Sequence, residues 1–114
     1  DLHLLSRRQR QMCIRDRAYA GNCRVLLISP IELGNDVWQE GYDPQFDAGS
    51  PAVSRNLKYT FAKVARKHGT DILAASDHAK PSSIDCEHLD ENGHNALARA
   101  VEDKILSIYG RAAS

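Results

Sequence analysis

Long hydrophobic runs, net charge and paired cysteines are all missing from this chain of 114 residues. Its apolar stretches, around Val25 to Ile28 and Ile72 to Ala75, fall far short of the ~20 residues a membrane-spanning helix needs, so no membrane span is expected. Fifteen Lys and Arg balance fifteen Asp and Glu. A chain with no net charge has no global field to draw in nucleic acid or an anionic lipid surface, and neither is expected as a partner. Cys13, Cys23 and Cys86 form an odd set without C-x-x-C spacing, which argues against a disulfide framework and fits a reducing, cytoplasmic compartment. There is no internal repeat and no low-complexity segment. What is present suffices for one small domain, since 42% of the residues are hydrophobic and can build a core.

The first seventeen residues stand apart. Asp1 to Arg17 holds five Arg against two Asp, includes Arg7-Arg8-Gln9-Arg10-Gln11, and shows no apolar period that commits it to helix or strand. The run Gln9-Arg10-Gln11-Met12-Cys13-Ile14-Arg15-Asp16-Arg17 resembles translated sequencing-library adapter, which would make residues 1–17 a non-native segment. The other reading of so basic an arm is a contact for nucleic acid or lipid. Without it, residues 18–114 carry a net charge of −3. The true amino terminus and any targeting peptide are then expected to lie upstream.

From Cys23 to Ser29 the residues are continuously apolar around Val25, Leu26, Leu27 and Ile28, the pattern of a strand covered on both faces in a parallel sheet. Pro30 ends it. Ile31 to Gly49 then contains Gly34, Gly41, Pro44 and Gly49, interleaved with Trp38, Tyr42 and Phe46, and is expected to be a long irregular loop. A loop beyond the carboxyl end of a parallel strand sits where open α/β sheets bind ligands. Trp38, Tyr42 and Phe46 either line a hydrophobic acyl or aryl pocket there or pack the loop down. Ser50-Pro51 reads as a helix start, Ser50 as the cap and Pro51 in the first turn. Val53, Leu57, Phe61, Val64, Ala65 and His68 recur at spacings of three and four and predict the buried face, with Gly69 as the stop. Asp71 to Ala75 predicts a second strand, parallel to the first through a right-handed crossover, and Ser76 to Ser83 a loop. A final helix is expected after Asp90 as cap, with His94, Leu97, Ala98, Val101, Ile105 and Ile108 inward and Gly110 as terminator.

The chemistry concentrates in Ile84-Asp85-Cys86-Glu87-His88-Leu89-Asp90-Glu91-Asn92-Gly93-His94. An aspartate three residues before a histidine can hydrogen-bond the imidazole Nδ1, fix its tautomer and stabilise the imidazolium, which suits a general base. The flanking Ile84 and Leu89 are candidates to bury the loop's base. The same spacing also serves as a surface hydrogen bond that merely ties loop to helix, as in a non-catalytic α/β binding module. A zinc site from His78, Cys86, His88 and His94 is a further alternative, although the spacing matches no common structural zinc pattern and no metal or other cofactor is expected. No serine lies in a G-D-S or G-x-S-x-G context; Ser50 is expected as a cap, and no nucleophile is assigned in this chain.

The run Ser83-Ile84-Asp85-Cys86-Glu87-His88-Leu89-Asp90-Glu91-Asn92-Gly93-His94 resembles the last block of the SGNH hydrolases, or GDSL esterase/lipase family, whose usual form reads D-G-x-H-L-[DST]-x-x-G-H. Val25-Leu26-Leu27-Ile28-Ser29-Pro30 is similar to a late strand of that family's arylesterase-like branch. Cys86 stands where glycine is commoner, in a less permissive turn. Gly34-Asn35-Asp36 is similar to the family's G-x-N-D block but lacks its spacer and follows the late strand, so no oxyanion role is carried onto Asn35. The resemblance implies the last two parallel strands and two helices of a truncated three-layer α/β/α, flavodoxin-like fold. It also implies a carboxylic-ester hydrolase acting on small-molecule esters through an acyl-serine, with His88 as base and Asp85 as its support. The nucleophile and oxyanion blocks of that family precede the segment present here, so the chain by itself is expected to be inactive. Oligomeric state is not specified by any pattern.

Overall fold

The computed structural model describes residues 23–113. Strand β1, Leu26–Ser29, leads through a long loop into helix α1, Ser50–His68, then strand β2, Asp71–Ala74, a 3-10 turn at Ala75–Asp77, a second loop, and helix α2, Glu91–Ala113. The strands pair in parallel, with Leu26 opposite Asp71 and Ser29 opposite Ala74. α1 packs against both strands and α2 against β2. This is the α/β arrangement expected from the run of apolar strand, helix, strand and helix.

Each element starts and stops for a local reason. β1 ends before Pro30, which has no N–H to extend a ladder. α1 has Pro51 in its first turn, where a missing N–H costs nothing, and ends at Gly69, whose φ of 67° is left-handed. The N–H of Thr70 then returns to the carbonyl of Ala65 at 3.0 Å and closes the helix end. Ser50 is not the cap of this helix. Gly49 occupies that position, while the Ser50 hydroxyl accepts from the Asp47 N–H at 3.0 Å and so closes the preceding turn. Asp90 caps α2 as expected, accepting from the Gly93 N–H at 2.7 Å. Gly110 does not terminate α2, which continues to Ala113.

The buried faces agree in part with those the periodicity predicts: Ala65 and Ile108 are buried, and Leu57, Phe61, His68, Leu97 and Val101 half-buried. On α1 the buried residues are Pro51, Ser54 and Ala65, whereas Val53 is 64% exposed. On α2 the buried residues are Gly93 and Ile108, with Ala96, Leu97, Ala100 and Val101 half-buried and His94, Ala98 and Ile105 outside. On α1 the buried residues are small, which lets the helix axis approach the sheet, whereas on α2 the large Ile108 is buried together with Gly93. The core is Val37, Ala65, Leu73, Ala75, Ala79, Cys86 and Ile108. Among the described residues, no helix is long and apolar enough to cross a membrane.

Candidate active site

Both loops that leave the carboxyl ends of the parallel strands meet on one side of the sheet. The Gly34 N–H, four residues beyond Pro30, donates to the carbonyl of Cys86 at 2.8 Å. The first loop is itself tied to α1: Ser54 Oγ accepts from the Leu33 N–H at 3.0 Å and donates to the Pro51 carbonyl at 2.7 Å, and Arg55 donates to Asn35 Oδ1 at 3.0 Å. Val37 within it is fully buried. A long irregular segment thus becomes a fixed wall beside the second loop.

The second loop folds on itself between Ser82 and His88. The Ser82 N–H donates to the His88 carbonyl at 2.7 Å and the Cys86 N–H to the Ser82 carbonyl at 2.8 Å. Asp85 organises the interior of the turn: its Oδ1 accepts from the backbone N–H groups of Glu87 and His88, each at 2.9 Å. Its Oδ2 lies 2.6 Å from His88 Nδ1. With both oxygens engaged, the carboxylate cannot rotate away, and Nδ1 is held as the donor, leaving Nε2 as the basic nitrogen. No described residue hydrogen-bonds Nε2, and the His88 side chain is 76% exposed.

The electrostatics follow from these contacts. The backbone N–H groups of His88 and Glu87, then the imidazole, hold the Asp85 carboxyl at a pKa of about 2. In return the hydrogen bond to Asp85, then the charges of Asp85, Glu87 and Asp43, raise His88 above its ordinary value. The arrangement therefore presents a permanently ionised aspartate behind an imidazole made more basic than usual, which is what a general base of fixed tautomer needs.

Cys86 carries the cost of this turn. Its φ is 59°, the left-handed region that only glycine enters without steric penalty. Its side chain is buried. Cys86, first by side-chain hydrogen bonding and then by the negative charge of its thiolate form, raises the Tyr42 phenol above its ordinary range. Trp38 is 46% exposed, with its indole N–H donated to the Asn35 carbonyl at 2.9 Å, and Phe46 is half-buried. Two open grooves, each of about 550 Å³, are lined mainly by α2, and neither includes Trp38, Tyr42 or Phe46. Ile84, expected to help bury the loop's base, is instead 88% exposed, while Leu89 packs on Gly93.

The zinc tetrad does not assemble. Among the described residues, the one group of three ligand-type side chains within 4.8 Å of one another is Asp85, Glu87 and His88. His78, Cys86 and His94 are not part of it. Sequence reasoning missed Gly34 and Asp43 as neighbours of this turn. Gly34 was visible only as part of an apparent decoy motif, and Asp43 had no signal of its own.

No family model matches the chain, and no curated protein matches it. Solved structures do. One crystal structure is 30% identical over 77% of this chain and 40% of its own length, with a TM-score of 0.70. Est24, a carbohydrate acetylesterase from Sinorhizobium meliloti, is 25% identical over 75% of this chain and 39% of its own, with a TM-score of 0.63. A proposed arylesterase from Agrobacterium tumefaciens str. C58 is 21% identical over 75% and 39%, with a TM-score of 0.61, a likeness that speaks to the fold alone. The chain spans about two fifths of the length of the structures it matches. Its fold is the α/β fold of these esterases.

Proposed function

We propose that residues 18–114 are the carboxyl-terminal portion of an SGNH-type carboxylic-ester hydrolase, and that Asp85 and His88 are two members of its catalytic machinery. The observation that carries this reading is the 2.6 Å contact between Asp85 Oδ2 and His88 Nδ1, on a loop at the carboxyl ends of parallel strands. The shared fold with Est24 adds weight, because that protein is a carbohydrate acetylesterase.

In the reaction, His88 Nε2 accepts the hydroxyl proton of a serine supplied by another part of the protein as that serine attacks the ester carbonyl. Asp85 holds the imidazole in the required tautomer and compensates the imidazolium charge. The imidazolium then gives its proton to the departing alkoxide, and His88 activates a water that releases the carboxylate from the acyl-serine. Backbone and side-chain donors outside residues 18–114 stabilise the tetrahedral oxyanion. No metal or organic cofactor takes part, and the substrate is a small-molecule ester. Cys86 forms no disulfide among the described residues, which is compatible with a reducing cytoplasmic location.

Extending the coding sequence upstream of Ala18 tests the reading. A Gly-Asp-Ser block there, and hydrolysis of p-nitrophenyl acetate by the extended protein that is lost in His88→Ala, are the expected results. Absence of such a block would favour a non-catalytic α/β module, in which Asp85 and His88 only brace the turn. The 114-residue chain alone is expected to hydrolyse the ester no faster than background; robust turnover abolished by His88→Ala would show that the nucleophile lies within it.

A further inference from the structure

The turn that carries His88 does not stand alone: the loop after β1 grips it from behind. A Cβ built on Gly34 would lie 2.6 Å from Cys86 Cβ, 2.9 Å from its Sγ and 3.2 Å from its Cα. The first two distances are closer than such atoms approach, and the shortest is to Cβ, the root of the side chain, which no rotamer change can move. The same two residues share the 2.8 Å bond from the Gly34 N–H to the Cys86 carbonyl. Two residues further on lies the imidazole.

We propose that Gly34 is a positioning residue for His88: its missing side chain is the seat on which Cys86, and with it the whole Ser82–His88 turn, rests against the end of β1. Any side chain at position 34 lifts the turn off that seat. Cys86 adopts φ of 59° and is buried there, so its conformation is set by the contact as well as by the turn. Tyr42, further along the loop, has its phenol raised by the same Cys86. Asp43, the next residue, reaches His88 by its charge. The long loop thereby fixes where the base sits relative to the strand ends, while Asp85 fixes only how the base is oriented within its own turn. This role deepens the esterase reading and takes its catalytic meaning from it, but its test does not depend on ester hydrolysis.

The test is a compensating pair of substitutions in the 114-residue chain, read by hydrogen exchange at the residue-34 amide and by NMR titration of the His88 ring. Gly34→Ala is expected to speed exchange at that amide by about tenfold or more, as forced overpacking opens the seat. It should also lower the His88 titration midpoint as Asp43 is drawn away. Cys86→Gly alone leaves exchange slow. Combined with Gly34→Ala it removes both atoms of the closest clash and restores slow exchange and the titration midpoint. If Gly34→Ala unfolds the chain, recovery of the fold in the double variant gives the same answer. Exchange unchanged by Gly34→Ala, or a double variant that remains fast-exchanging or unfolded, would overturn the assignment. If the seat behaves as described while the extended protein hydrolyses no ester, the esterase reading falls and the seat stands.

Discussion

The pairing of Asp85 with His88 makes a signed prediction about pH. Asp85 titrates at about 2 in the folded chain, below the ordinary carboxylate value, so its stabilisation is complete above that ordinary value and is lost as pH falls toward 2. His88 is shifted the other way: its stabilisation is complete below the ordinary imidazole value and is lost as pH rises through the raised one. The pair therefore stabilises most between about pH 4 and 6.5. Thermal melts of wild type and Asp85→Asn over a pH series should show their largest Tm gap in that window, and a gap that does not vary with pH would contradict the coupling. In the extended protein, activity should fall as pH drops below the raised His88 value, because only neutral imidazole accepts a proton. Asp85→Asn there is expected to lower kcat by on the order of 10⁴-fold, the scale on which loss of the orienting carboxylate acts in serine hydrolases. Cys86 offers a second prediction at this scale. Cys86→Ala keeps the left-handed φ and loses the thiol, whereas Cys86→Gly relieves the φ, so the glycine variant should be the more stable of the two by about 1 kcal/mol in urea unfolding.

Among the elements, two of the four predicted helix ends were legible, Asp90 and Gly69, because each acts within a turn of its own position, whereas Ser50 and Gly110 do not act as cap and terminator. Asp90 was readable as a cap from its place before the helical pattern, and its carboxylate does accept from the Gly93 N–H. Asp90→Ala should cost about 1 kcal/mol, measured by chemical denaturation. Gly69 was readable as a stop and takes the left-handed φ; Gly69→Ala should cost about 1 kcal/mol for the same steric reason. Gly110 looked equivalent but is not, since a glycine ends a helix by turning left-handed, and among the described glycines only Gly41 and Gly69 have positive φ. Helix faces were less legible than helix ends. Periodicity shows that an apolar stripe exists but not which of its residues pack closest: Ala65 on α1 and Gly93 and Ile108 on α2 lie buried, whereas Val53 and Ile105 do not. The choice between adjacent faces is made by how closely the helix must approach the sheet.

The whole molecule buries little of its large apolar surface. Ile28, Val53, Ile105 and Leu106 are each at least 40% exposed, and His94, Leu97, Ala98, Val101, Ile105 and Leu106 line an open groove on α2. Contiguous apolar surface of this kind drives self-association. Replacing Ile105 and Leu106 by lysine should reduce concentration-dependent scattering with little change in Tm, and a large loss of Tm would mean that this face is packed after all. The sequence by itself determined the order of the elements, most of their limits, and the spacing that lets Asp85 reach His88, because each of these is settled within a few residues of chain. Tertiary structure alone decided that Gly34 receives Cys86, that Val37 is buried, and that His78 and His94 stay away from the turn. Those contacts join residues far apart in the chain. They exist because the parallel pairing of β1 with β2, itself expected from the strand–helix–strand order, carries both following loops to the same end of the sheet, where packing between distant residues, which no local pattern encodes, decides which side chains meet.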